Sequence, residues 1–151
     1  MIYHVRAEVW DRLQAVLESM EQIEDEFCFF SFDTEDGRAV SISLSDIQFL
    51  KYTMNPDVNY YDDNPRKGIT LYFRDRTLPV TSSIDEASDA FFLEANIVGA
   101  LKEDSFLSYV DQNGDRCSFN VAHLVLMELQ TAQILDGENK SELPSEGESL
   151  F

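Results

Sequence analysis

Twice along this chain, bulky and small side chains alternate, the run breaks at a glycine, and the alternation resumes. The first stretch is "FCFFSFDTEDGRAVSISL", residues 27–44, and the second is "FLSYVDQNGDRCSFNV", residues 106–121. A period of two puts every second side chain on one face, the pattern of a half-buried strand and not of a helix. Asp36-Gly37 and Asn113-Gly114 sit at the breaks, where a tight turn needs the positive φ that glycine takes without steric cost. Each stretch predicts two antiparallel strands joined by a short turn. Residues 29–54 also align without a gap on residues 106–131. Phe29 falls on Phe106, Phe32 on Tyr109, Gly37 on Gly114 and Ile42 on Phe119. Leu44 falls on Val121, Ile47 on Leu124 and Leu50 on Met127. Identities are few, so both an internal duplication and two hairpins with one shared alternation fit the match.

Asp111, Asn113, Gly114 and Asp115 also have the spacing with which a calcium loop begins. A complete loop of that kind needs glycine at its sixth position and a bidentate glutamate at its twelfth. Counted from Asp111, those positions hold Arg116 and Ala122, and strand patterns flank the stretch where helices are required. Short Asp and Asn side chains bond the backbone of turns, so the reading is a turn. "DTEDGR", residues 33–38, reads the same way.

Around these hairpins the periodicity changes. Val9, Leu13, Val16, Leu17, Met20 and Ile23, with Trp10, recur at three- and four-residue steps and predict a helix over 6–26. "SDIQFLKYTM" continues the first hairpin as a third strand. Residues 55–68, rich in Pro, Asn and Asp, read as a loop. "ITLYFRDRTLPVTSS" is another hairpin turning at Arg74-Asp75-Arg76, and Pro79 places its return strand at a sheet edge. Ser83 and Glu86 have capping-box spacing, and Phe91, Phe92, Ala95, Val98 and Leu101 give the following segment an apolar face, predicting a helix over 84–101. The expectation is a single α+β domain over 1–135: a strongly bent antiparallel sheet or small barrel of two or three hairpins, covered by an N-terminal and a central helix. Residues 136–151 read as an acidic, disordered tail.

Charge then removes several functions. Twenty-nine acidic residues face eleven basic ones, a formal net of −18, which repels phosphate backbones and anionic membranes. Direct nucleic-acid binding and membrane docking are therefore not expected. No apolar run approaches the length of about 18 residues that marks a spanning helix. The N-terminus lacks the basic start and apolar stretch of a signal peptide, so the expected location is the cytoplasm. Cys28 and Cys117 can form at most one bridge, and their apolar surroundings predict buried thiols. Neither has zinc-ligand neighbours, so no metal or cofactor is expected.

No nucleophile, phosphate-loop, zinc-protease or dinucleotide motif occurs, and no catalytic residue is assigned. His123 follows a strand without a recognisable Ser or Cys partner and reads as a structural or surface residue. One local feature opposes the global charge. Arg66, Lys67, Arg74 and Arg76 supply four of the eleven basic residues within eleven positions, with Tyr60 and Tyr61 nearby. Arginine beside aromatics is common at binding surfaces, making these six a candidate partner-binding patch. The alternative is that they neutralise Asp57, Asp62, Asp63 and Asp75 around them.

A strand, a "DGR" turn, a second strand, "SLSDIQFLKY", a variable loop and then "ITLYFRDRTLPVTSSIDEA" resemble the small flagellar FlbD-like proteins and, more loosely, the Sm-like small β-barrels. The resemblance covers residues 28–86 and is carried by Gly37, Ile47, Ile69, Leu71, Asp75 and Val80. It implies a small twisted sheet or barrel and transfers no catalytic residue. The N-terminal helix and the second β unit have no counterpart there, and the nucleic-acid role of Sm-like proteins conflicts with this chain's acidity. The functional expectation is a non-catalytic protein-interaction or assembly module, binding a protein partner or itself. The alternatives are an acidic inhibitor that mimics nucleic-acid charge and a hydrolase with carboxylates outside any known motif.

Overall fold

The structure is a computed structural model and describes residues 2–18, 29–53, 65–99 and 106–142. Helix α1 spans Ala7–Glu18. Its buried residues Trp10, Leu13 and Leu17 are three and four apart, the spacing of one helical face. Strands β1 (Phe29–Asp33) and β2 (Ala39–Ser43) pair antiparallel, with Phe29 opposite Ser43 and Asp33 opposite Ala39. A 3-10 turn at Leu44–Asp46 leads into β3, Phe49–Tyr52. After a 3-10 turn at Pro65–Lys67 come β4 (Gly68–Phe73), β5 (Val80–Ser83) and helix α2 (Ala87–Gly99). Strands β6 (Phe106–Val110) and β7 (Arg116–Asn120) follow, then a 3-10 turn at Val121–His123, β8 (Leu124–Leu129) and helix α3 (Thr131–Glu142).

Helix, hairpin, 3-10 turn and strand thus occur twice in the same order. From β1 to the first 3-10 turn, every boundary recurs 77 positions later, Phe29 becoming Phe106 and Asp46 becoming His123. The turns match in detail. Thr34 N–H donates to Arg38 O at 2.8 Å, and Asp111 N–H donates to Asp115 O at 2.9 Å. Gly37 and Gly114 take φ of +85° and +81°, the left-handed region that glycine enters without penalty. Ser31 and Ser41 hydroxyls meet across the first hairpin at 2.7 Å, and Ser108 and Ser118 across the second at 2.8 Å.

Among the described residues the strands form three small antiparallel sheets, β1-β2, β3-β7-β6 and β5-β4-β8, and none closes into a barrel. The ladder between β5 and β6 shrinks to the single bridge Ile84–Asp111, and among the described residues β3 and β8 do not pair, so the barrel half of the expectation is not met. Two cores result. Trp10, Leu13, Leu17, Phe30 and Leu44 form the N-terminal one, where Trp10 stacks on Tyr52 with centroids 4.8 Å apart. Ile69, Leu71, Phe73, Leu93, Phe119 and Leu124 are central to the other. Fully burying each such side chain contributes about 1.5–3 kcal/mol.

Two local expectations need correction. Ser83 does not cap α2: it is the last residue of β5, paired with Gly68, and the helix begins only at Ala87. Ser83 stands in extended strand backbone four positions before the first helical residue, too far back to reach the helix's first amides. Residues 131–142 are helical, so α3 runs into the segment read as tail from 136; residues 143–151 lie outside the described part. Helix α3 packs on α2 through features that lack an apolar stripe. Gln133 is buried and donates from Nε2 to Ile84 O at 2.9 Å, and Gly137 lies against Ala87 and Phe91.

Candidate interaction surface

The predicted basic patch is divided by the strand that connects its halves. Arg66 and Lys67 precede β4, while Arg74 and Arg76 follow it. Six strand residues at about 3.3 Å each separate the two pairs by roughly 20 Å. Lys67 Nζ donates to Asp85 O at 3.3 Å, and Arg76 Nε donates to Leu78 O at 3.0 Å. Backbone groups thus hold both side chains locally. Arg74 accepts at its carbonyl from Gln48 Nε2 at 2.8 Å. Tyr60 and Tyr61 lie outside the described residues.

A different arrangement dominates the contact between the two units. Strand β3 of the first unit adds itself to the edge of β7 in the second, with Phe49 opposite Phe119 and Tyr52 opposite Arg116. Apolar side chains cross this seam both ways. Phe49 packs against the C-terminal core, and Phe106 against the N-terminal one. His123 Nε2–H donates to Ser45 O at 2.5 Å and ties the two 3-10 turns together, which gives this histidine the structural one of the two places expected of it.

The seam's charged contact uses the stretch that had suggested calcium. Asp111 Oδ1 accepts from the backbone N–H of Asn113 and of Asp115, both at 2.9 Å. That closes the turn. Its Oδ2 lies 3.3 Å from Lys51 Nζ on β3, and Asp115 Oδ2 lies 3.3 Å from the same ammonium. Both carboxylates are buried, so they have been desolvated and need a counter-charge. Burial pulls the Lys51 ammonium down, but Asp111 and Asp115 outweigh it and leave its pKa raised. The turn reading therefore holds, with one addition: the carboxylates also anchor the other unit. Among the described residues no His, Cys, Asp and Glu group has metal-site geometry. Burial first, then the Asp111 charge, pushes the Cys117 thiol up to about 12, so it carries little thiolate at neutral pH.

Opposite this seam, the equivalent edges meet no further strand among the described residues. Strand β2, the counterpart of β7, pairs only with β1 among the described residues, and β8, the counterpart of β3, is terminal in its sheet. Phe29, counterpart of Phe106, is 60% exposed, and Leu126, counterpart of Phe49, is 49% exposed beside Val125 at 61%. Sequence reasoning missed these residues because alternation marks which face a side chain takes, not whether another unit covers that face.

Fold and seam together define an α+β chain whose described residues form three helices and three small antiparallel sheets, joined by strand addition between two similar units. Among the described residues no helix is long and apolar enough to cross a membrane. Comparison with protein-family models, curated proteins and solved structures gave no match.

Proposed function

We propose that this chain is a non-catalytic interaction module that engages proteins by strand addition. The observation that carries this reading is the pair of edges, β2 and β8, that no further strand joins among the described residues, each flanked by an exposed large apolar side chain, Phe29 and Leu126. An unpaired edge offers a row of N–H and C=O groups to an incoming strand, and adjacent apolar side chains supply affinity and selectivity. The fold makes such a contact internally when β3 joins β7, so the geometry is one this backbone accommodates. The reading extends to architecture: through the Ile84–Asp111 bridge, strands β8-β4-β5-β6-β7-β3 act as one strongly bent ribbon with the two units as copies of one design.

A photo-crosslinking residue in place of exposed Ala39, on the open side of β2, tests this in the cell that makes the protein. The expected result is a covalent adduct with a protein through that position. Adducts at Phe92 or Leu78 but none at Ala39 would move the binding surface elsewhere and defeat the reading.

A further inference from the structure

The geometry points to a second copy of this chain as the occupant of these edges, docked head to tail with β8 of one copy antiparallel along β2 of the next. This inference rests on the strand-addition reading above and names its partner.

Hydrogen-bond parity matches first. Asn120 N–H donates to Gln48 O at 2.9 Å, so Gln48, Leu50 and Tyr52 turn their backbone groups toward Arg116, Ser118 and Asn120, because such groups alternate in direction along a strand. In the other sheet, Ile84 N–H donates to Lys67 O and Arg74 N–H to His123 O, both at 2.8 Å. Odd-numbered β4 residues therefore face β5, and even-numbered ones face β8. Tyr72 lies opposite Leu126 and Thr70 opposite Glu128, which spends the backbone groups of those two β8 residues on β4. Met127 and Leu129 are left facing the open edge. They are the counterparts of Leu50 and Tyr52, the residues that bond β7. In β2, Thr34 N–H donates to Arg38 O, so Val40 and Ile42 face β1, and Ala39, Ser41 and Ser43 face outward. They are the counterparts of Arg116, Ser118 and Asn120. The open edges of β8 and β2 are thus the same edges that meet in the seam.

The side chains match too. Carrying the seam forward by one unit places Leu126 where Phe49 packs and Phe29 where Phe106 packs, which would cover two apolar groups that are now exposed. It places Glu128 where Lys51 lies, and Thr34 and Arg38 where Asp111 and Asp115 lie. In the Lys51–Asp115 pair both partners change sign, becoming Glu128 and Arg38, so that pair stays complementary, while the Asp111 position holds the uncharged Thr34. Arg38 now pairs with the exposed Asp36 carboxylate at 2.9 Å, a surface pair that is cheap to exchange, and its guanidinium lies over the Tyr3 ring, 5.6 Å from the centroid. A heterologous contact of this kind leaves each copy with one used and one free edge, so it builds rings or filaments and not closed dimers.

Sedimentation velocity on the full chain, over a rising concentration series, tests this. Species heavier than the 17.3 kDa monomer should accumulate, and Leu126→Asp should return the chain to monomer with its circular dichroism and urea midpoint retained. E128K and R38D should each weaken association about tenfold by placing like charges together. The double variant E128K/R38D, which recreates the seam's own Lys–Asp pair, should restore it. A monomer at millimolar concentration, or oligomers indifferent to all of these changes, would overturn the inference. The Ala39 crosslink separates the two ideas. An adduct with the mass of a second copy supports head-to-tail docking. An adduct with another protein, from a chain that is monomeric when pure, overturns it and leaves strand addition standing. No adduct from a monomeric chain removes both.

Discussion

Lys51 Nζ lies 3.3 Å from Asp115 Oδ2, across the seam where one unit's strand joins the other unit's sheet. The lysine side chain is 41% exposed, whereas Asp115 and Asp111 are nearly covered. Removing the cation leaves two desolvated carboxylates facing each other. Lys51→Met should cost about 1–2 kcal/mol, less than a fully buried pair because solvent screens the lysine. Urea unfolding checks it; an unchanged midpoint would mean that the carboxylates find another partner.

The two hairpin glycines form a matched experiment. Nothing lies within 4 Å of a Cβ built on Gly37 or Gly114, so alanine at either site meets no steric obstacle. Only the positive φ is strained, which costs about 1–2 kcal/mol. Gly37→Ala and Gly114→Ala should therefore lower stability by similar amounts in denaturant titrations. A large loss at one site alone would show that the turns are not equivalent.

Gly137 is the opposite case. A Cβ there would overlap the Ala87 carbonyl oxygen and sit 2.7 Å from its carbon and 2.8 Å from Phe91 Cβ. Gly137→Ala should push α3 off α2 and destabilise by about 1–3 kcal/mol, the usual range for overpacking, despite alanine's better helix propensity. Calorimetry reads the change, and a rise in Tm would refute the close approach.

Stability should fall in alkali with an onset set by Cys117. Its thiol titrates at 9.0 when unfolded and at about 12 when folded, because burial and then the Asp111 charge disfavour the thiolate. Between those values the native state holds a proton that the unfolded chain has released. Stability is therefore full below 9.0 and declines above it, by about 1.4 kcal/mol per pH unit. Tyr109, also raised by burial, adds to the decline only above its ordinary 10.0. Urea midpoints between pH 9.0 and 10.0 should slope downward in the native chain and flatten in Cys117→Ala.

The hairpins were legible because Asp36-Gly37 and Asn113-Gly114 dictate backbone geometry locally and alternation reports burial within a unit. The seam was not. Lys51 stands in its strand as an ordinary exposed residue, and nothing near it announces a partner in the other unit. Phe29 and Phe106 are the same residue at matching places, yet one is exposed and the other packs into a core. That difference arises because the N-terminal unit, with Trp10, Leu13, Leu17, Phe30 and Leu44, lies against Phe106. The basic patch shows a related effect: proximity in sequence becomes separation when an extended strand lies between Arg66-Lys67 and Arg74-Arg76. Helix α3 escaped notice because it docks through a glycine and a glutamine beside Ile134, without a full apolar stripe.

Asp111 divides its oxygens between two ranges of the chain. One is committed to amides of its own turn, the other to a lysine far earlier in sequence. The carboxylate is aimed at that lysine only after the loop has closed, so the remote contact inherits its geometry from the local one. In kinetic terms, Gly114→Ala should mainly slow folding and Lys51→Met mainly speed unfolding; the reverse pattern would show that the distant strand docks before the hairpin forms.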